Sequence, residues 1–283
     1  PAQAWLAWIA ANGSDSDVSD TWSWMKENRL LDQKSAEEAV WALWRRKAFD
    51  TAHALWSNWP DNGAATGAAI SASAANATAA NTSATDATAS SATATANAAA
   101  SRESSTNVPQ LVHNCTFQQE ATTTPFDWSL VASPSVGIAH TDGLEIRFSG
   151  ADNAEMMIQQ FTVARPGRYE FSAQVASDQL TTDQRPFFHI FDAANASRLD
   201  VHTPPLDDTT PKGKIVLDFT VPAGTEALAV QLLRSKSERF DNKISGALHV
   251  YDVSLLPVSS PLVTRLTASR LPVSRPPGTR AAN

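Results

Sequence analysis

Between Asp61 and Asn107 the chain consists almost entirely of alanine, serine, threonine, asparagine and glycine, with Ile70 as its only large apolar side chain. Such a tract cannot bury enough surface to offset the entropy of ordering its backbone. Alanine favours helix, but threonine, serine and asparagine at every second or third place compete for backbone hydrogen bonds and erode it. The composition therefore predicts a flexible tether over 61–107, spanning about 35–40 Å as a random coil. It leaves two folded pieces, 1–60 and 108–257, free to engage separate targets. Asn76-Ala-Thr78 and Asn81-Thr-Ser83 match the N-glycosylation pattern, as a tract this rich in asparagine and threonine does by chance.

The two pieces differ in kind. Eight of the nine tryptophans precede residue 60, and only Trp128 follows. In the first piece Ala52, Leu55, Trp56 and Trp59 recur at i, i+3, i+4 and i+7, the spacing of one buried helical stripe. Ser35 followed by Glu38 reads as a capping box. Downstream, Ala36, Ala39, Val40 and Leu43 form one apolar face while Trp41 and Trp44 form a second. A helix apolar on two sides needs neighbours on both. With Asp50 as the next cap, residues 35–59 predict a helical hairpin, and further helices are expected near 2–11 and 18–30.

The run Ala39-Val40-Trp41-Ala42-Leu43-Trp44 followed by Phe49-Asp50-Thr51-Ala52-His53-Ala54-Leu55-Trp56 resembles tetratricopeptide-like repeats. These are helical pairs of about 34 residues that stack in series and bind proteins through their grooves. One complete pair is visible, beginning partway through another, as at the end of a longer array. A small tryptophan-rich bundle without repeat ancestry is the alternative. The sequence opens at Pro1 with neither a methionine nor a signal-like segment, as expected of a processed or truncated product.

After Asn107 the period changes to two. Tyr169, Phe171, Ala173 and Val175 alternate with Arg168, Glu170, Ser172 and Gln174, and Ile215, Leu217, Phe219 and Val221 behave alike. Further strands are expected near 111–117, 128–131, 136–140, 144–149, 156–164, 187–193, 198–202, 227–235 and 246–256. Turn signals such as Thr141-Asp142-Gly143, Arg165-Pro166-Gly167 and Pro222-Ala223-Gly224 separate them. Many short strands without intervening helices predict an antiparallel β-sandwich or jelly roll. The fold class is thus multidomain, α plus all-β. Residues 258–283 turn Pro-, Ser- and Arg-rich and read as a disordered tail, with arginines at 265, 270, 275 and 280.

Asn114-Cys115-Thr116-Phe117-Gln118-Gln119-Glu120 with Pro125-Phe126-Asp127-Trp128, the central Pro166-Gly167-Arg168-Tyr169, and the closing Gly246-Ala247-Leu248-His249-Val250-Tyr251-Asp252-Val253-Ser254-Leu255 resemble jelly-roll carbohydrate-binding modules. The resemblance implies a non-catalytic glycan-binding domain in a bacterial periplasmic, cell-surface or secreted protein. Paired with helical repeats, it implies a scaffold in surface-polysaccharide assembly. In such modules a glutamate of the opening motif and an aspartate of the closing one help hold a structural calcium. Here Gln118 stands at the glutamate position and Tyr251 replaces the first aspartate. Asp252 remains as a calcium ligand, with Glu120 as a substitute; otherwise Asp252 is a solvated strand-end residue.

Sugar binding needs exposed rings that stack on pyranose faces, flanked by groups that bond the hydroxyls. Trp128 and Tyr169 occupy buried positions in the pattern, so the ring-bearing candidate is Arg185-Pro186-Phe187-Phe188-His189-Ile190-Phe191. Alternation puts Phe187, His189 and Phe191 on one face and Phe188 and Ile190 on the other; either one face is a groove or the strand is buried on both sides. Gln179, Arg185 and Arg234 are the candidate polar contacts. His189, His202 and His249 lack metal-ligand spacing, and the nucleophile-elbow and phosphate-loop motifs are absent. Asp207-Asp208 and Asp241 read as solvated loop residues, because no motif fixes the separation a glycosidase pair needs. Cys115, the single cysteine, reads as buried filler and excludes a disulfide framework. Catalysis is therefore not expected.

Net charge is −7 overall, divided as about −7 on the sandwich, +4 on the tail and −2 each on helices and tether. An acidic binding domain fits a neutral glycan or a protein partner better than nucleic acid or an anionic surface. No apolar run is long enough to span a bilayer. A sandwich that serves as a structural or protein-interaction module without binding glycan is the alternative function.

Overall fold

The computed structural model describes residues 2–59, 109–151, 155–239 and 243–258. The expected tether at 61–107, nearly all of the expected tail at 258–283, and Asp241 lie outside them. Among the described residues four helices, α1 (Ala2–Asn12), α2 (Asp15–Glu27), α3 (Gln33–Arg45) and α4 (Phe49–Ser57), precede ten strands. These are β1 (Ser129–Leu130), β2 (Val136–Thr141), β3 (Gly143–Ala151), β4 (Met156–Val163), β5 (Gly167–Thr181), β6 (Phe187–Asp192), β7 (Asp200–His202), β8 (Thr210–Val221), β9 (Ala227–Leu233) and β10 (Ile244–Pro257). Among the described residues no helix is long and apolar enough to cross a membrane.

Helices α3 and α4 bury the stripes their sequences predict, Ala36, Ala39, Val40 and Leu43 in α3 and Ala52, Leu55 and Trp56 in α4, while α1 buries Leu6, Ile9 and Ala10 and α2 buries Val18, Trp22 and Met25. Helix α1 packs on α2 and α3, and α4 on α2 and α3. The starts differ from expectation. The capping box belongs to α2, where Ser14 and Asp17 cap each other's backbone. For α3 the cap is Asp32, whose carboxylate accepts the Ser35 N–H at 2.8 Å, leaving Ser35 buried inside the first turn. Asp50 does not cap α4 either; it lies in the first turn. Helices α2 and α3 stop the same way, with Arg29 and Lys47 at positive φ while the next N–H reaches back to Met25 and Leu43.

The strands form two five-stranded antiparallel sheets. Sheet I has the order β1-β4-β9-β6-β7, and sheet II the order β2-β3-β10-β5-β8. Their inner faces meet in one core that includes Ile146, Ile158, Phe171, Phe188, Val230 and Val250, with the Phe171 and Phe188 rings 5.1 Å apart. Trp128 and Tyr169 are buried as expected, 1% and 4% exposed. The Tyr169 hydroxyl closes the Pro166-Gly167 turn by bonding both backbone groups of Arg165.

The strand expected at 111–117 does not form. Asn114 and Phe117 adopt positive φ, which breaks the ladder. Leu111 and Cys115 still bond the β10 backbone, but side chains take over between them: the Gln160 amide pairs with both backbone groups of His113, and the Gln110 carbonyl accepts from Val112 and Leu255. Asn114 closes the following loop by exchanging two hydrogen bonds with the Gln119 backbone.

The helical unit is not free of the sandwich. Trp44 packs on Phe161 of β4 at 4.7 Å and on Phe126 at 5.5 Å; Trp56 packs on Phe126 at 5.3 Å and on His113 at 4.8 Å; His53 meets Phe126 edge-on at 5.1 Å. Phe126 and Ala227 are buried within the helical core cluster. The second apolar face of α3, for which the sequence requires a neighbour, is thus covered by the sandwich. Polar contacts rim the joint: Trp41 donates to the Thr123 carbonyl, the Thr123 hydroxyl to Glu37, and Arg165 pairs with Asp50 at 2.8 Å. Both members of that ion pair are largely exposed, so it contributes about 0–1 kcal/mol. Each buried ring contributes about 1.5–3 kcal/mol, so ring burial holds the joint.

Burial pushes the pKa values of His53 and His113 below the usual histidine range, against the charges of Asp50 and Asp127. A folded histidine pKa below its unfolded value gives stability that is intact above about pH 6.5 and lost as pH falls below it. Chemical denaturation is therefore expected to show loss of helix docking between neutral and acid pH, followed by tryptophan fluorescence. The double variant His53→Gln, His113→Gln is expected to flatten that dependence. Gly246 sets a second expectation. Its φ is +109°, and a Cβ there would stand 2.4 Å from the Gln179 carbonyl oxygen on the neighbouring strand. Gly246→Ala is expected to cost about 2–5 kcal/mol in urea unfolding.

Candidate ligand-binding faces of the sandwich

Strand β6 splits its side chains as the alternation requires. Phe188 and Ile190 point into the core at 0% exposure, while Phe187, His189 and Phe191 line the outer face of sheet I, half-buried. Cross-strand register extends this row into a band. His189 stands beside His202 on β7 and Gln231 on β9, and Gln231 stands beside Gln159 on β4. Phe191 is flanked by Asp200 and Ala229, and Phe187 by Leu233.

The rings are held in place by one another. His189 stacks on Phe191 at 4.8 Å, its Nε2 lies 2.7 Å from the Asp200 carboxylate, and Phe187 meets His202 edge-on at 5.4 Å. The Gln231 amide donates to the Gln159 carbonyl and reaches the Met156 Sδ at 3.6 Å. At the Phe187 end a cleft of about 740 Å³ opens, lined by Gln184, Arg185, Phe187, His202, Pro205 and Asp207 among others. Arg185 is engaged by both Asp207, at 2.9 Å, and Asp208, at 3.0 Å. Rings, amides and carboxylates on one surface can stack on a flat apolar face and bond hydroxyls.

Of the residues singled out from sequence, Arg185, Phe187, His189 and Phe191 come together here. Gln179 does not. It sits at positive φ near the end of β5 in sheet II, beside Arg147 and Ala247 in a depression of about 530 Å³. Arg234 does not either: β9 turns it inward, 1% exposed, where its Nη1 donates to the Thr182 hydroxyl at 3.0 Å and braces the loop before β6. The sequence pattern does not single out Gln159, Gln231 and Asp200, and it offers His202 only as a lone histidine. Their part depends on pairing between strands distant in sequence, for which a single strand's pattern carries no signal.

The outer face of sheet II is also polar. Glu145 accepts from Arg147 at 2.8 Å and lies 3.8 Å from His249, which stacks on Tyr251 at 6.1 Å. The Lys212 ammonium stands 3.6 Å above the Tyr251 ring. At the joint with the helices, a cavity of about 20 Å³ among Trp22, Val40, Trp56 and Trp59 has room for little more than a water molecule.

The calcium expectation finds no built site. Glu120 is exposed, Gln118 bonds the Thr116 carbonyl, and Asp252 lies beside Cys115. Among the described residues no group of three or more His, Cys, Asp or Glu is placed to hold a metal ion. The opening loop is braced instead by Asn114 and by the Trp128 indole, which donates to the Asn114 carbonyl at 3.2 Å. Burial, with the Asp252 charge adding to it, pushes the Cys115 thiol up, away from the thiolate form a nucleophile needs. Asp192, buried at the end of β6, is a structural anchor: burial alone would raise its pKa, but bonds from Thr225, Asn195 and Ala194 and the Arg198 charge hold it low.

No family model matches the chain, and a search of curated proteins found no match. Among solved structures the chain is similar to a CBM4 module, at 15% identity over 52% of this chain and 99% of that one, with a TM-score of 0.38. It is similar to TmCBM61 in complex with β-1,4-galactotriose, at 10% identity over 53% and 99%, with a TM-score of 0.36. A putative sugar binding protein from Bacteroides thetaiotaomicron is 14% identical over 53% of this chain and 100% of its own, with a TM-score of 0.36.

Proposed function

We propose that the protein is a non-catalytic binding protein whose sandwich takes up a neutral glycan on the outer face of sheet I. The observation that carries this reading is the row Phe187, His189 and Phe191 on one strand, flanked by Gln159, Gln231, Asp200 and His202 and ending in the cleft beside Arg185. Stacked rings offer apolar area to a pyranose face, while amides and a carboxylate bond its hydroxyls. Arg185 is held by Asp207 and Asp208, and the Asp200 carboxylate by the His189 ring, so carboxylates outnumber the one guanidinium here and the face disfavours an anionic ligand.

The helical unit is read as a protein-binding element of tetratricopeptide type, and α2 and α4, which begin 34 residues apart, support that spacing. The division into 1–60, 61–107, 108–257 and 258–283, a place in the bacterial periplasm, on the surface or outside the cell, and a role in surface-polysaccharide assembly belong to the same reading. A second reading rests on the docked helices: the sandwich is a structural or protein-interaction platform that binds no sugar.

A glycan array followed by calorimetry with the full chain separates the two. Binding of a neutral glycan is expected, weakened about tenfold by Phe187→Ala or Phe191→Ala and left unchanged by Tyr251→Ala on the opposite sheet. The same isotherm is expected in calcium and in chelator. Loss through Tyr251→Ala with Phe187→Ala silent would move the site to sheet II. Absence of binding to every glycan, with recovery of a protein through the sandwich, would establish the platform reading.

A further inference from the structure

Along the outer face of β6 the positions run Phe187, His189, Phe191 and then Ala193, which follows the strand. The first three are half-buried and face outward; Ala193, with Ala194, packs against the core cluster of the helices. The neighbouring strands repeat the change. On β9, Gln231 is partly exposed whereas Ala229 and Ala227 are fully buried. On β4, Gln159 is partly exposed whereas Phe161 lies under Trp44 and Val163 packs into the helical cluster. Three adjacent strands therefore pass beneath the helical unit at the same level. At the other end of the row the surface opens into the cleft of about 740 Å³ beside Phe187, Arg185 and Pro205.

Resting on the glycan reading, we infer that the face is a blind groove in which the docked helices form the end wall, so that it seats the terminus of a glycan rather than a segment from its middle. A chain lying along β6 enters over the cleft, crosses Phe187 and His189, and stops at Phe191 against the wall built on Phe161 and Trp44. Four residues of strand from Phe187 to Phe191 advance roughly 13 Å, the length of about two to three sugar rings. An open groove would let a polysaccharide pass through and would gain affinity with each added sugar until the surface ran out. A walled groove gains nothing from sugars beyond those that fit. The terminal sugar's free hydroxyls take the inner position, within reach of the Asp200 and Gln231 side chains that flank the row.

The test uses the full chain and the oligosaccharides of whichever neutral glycan the array returns, in a series from dimer to hexamer, with the parent polymer. Affinity is expected to rise to the trimer and then stay within about twofold through the hexamer. Polymer binding is expected to increase in proportion to chain ends when the polymer is partially digested. Blocking the two ends separately, by reduction at one and methylation at the other, is expected to cost about tenfold at one end only. Affinity that climbs about tenfold or more from trimer to hexamer, or that ignores both end modifications, overturns the blind groove and leaves glycan binding standing. Failure of every neutral oligosaccharide to bind overturns both.

Discussion

One ring from the sandwich, Phe126, fixes the relation between the two halves of the molecule. It leaves the sandwich in a turn pinned by Asp127, whose carboxylate accepts the N–H groups of Thr122 and Trp128 at 2.7 Å each. The same turn sends Trp128 inward, against Phe117 in the core, and Phe126 outward, among Trp44, Trp56 and His53. Neighbouring residues thus serve two hydrophobic clusters. Because Phe126 is 2% exposed only with the helices in place, the position of the helical unit is a condition for satisfying the sandwich itself. The wall over Phe161 and Ala227, and hence the length of open surface on sheet I, follow from that contact.

How far the fold is legible in the sequence depends on the range of the forces involved. Helical periodicity is local, and the buried stripes of all four helices agree with it. Alternation is local as well, and all ten described strands lie at least in part over the segments where it occurs or where turn signals bracket a run, although the one at 128–131 shrinks to Ser129–Leu130. The cap at Asp32 lay hidden behind the more conventional Ser35 and Glu38 pattern, since either residue can accept an N–H and only packing decides which one is outside the helix. The missing strand at 111–117 failed for a different reason. Leu111 and Cys115 keep backbone bonds to β10, but Val112 and His113 bond the Gln110 and Gln160 side chains, the second about 50 residues away, and no local pattern announces such a substitution.

The candidate face follows the same division. The three outward rings of β6 could be read from alternation within six residues. Which of the two sheets Gln179 would join, and that Arg234 would turn inward, depended on register and on which side of β9 faced the core. The coupling of helices to sandwich was the largest departure. A tract poor in apolar residues implies independent pieces when each can bury its own surface. The two-faced α3 was the sign that this one could not, but the sequence names no partner for its second face.

An apolar helical face needs something to cover it. In this molecule a sheet does that work: Phe161, Val163, Ala227 and the Phe126 turn lie over Trp44, Phe49 and Trp56. The tract 61–107 marks where the chain would be cut to obtain its parts, yet a cut there leaves each part with an uncovered aromatic surface. The apparent domain boundary is thus a boundary of composition and not of solubility, and the smallest piece that keeps its aromatic surfaces covered contains both the helices and the sandwich.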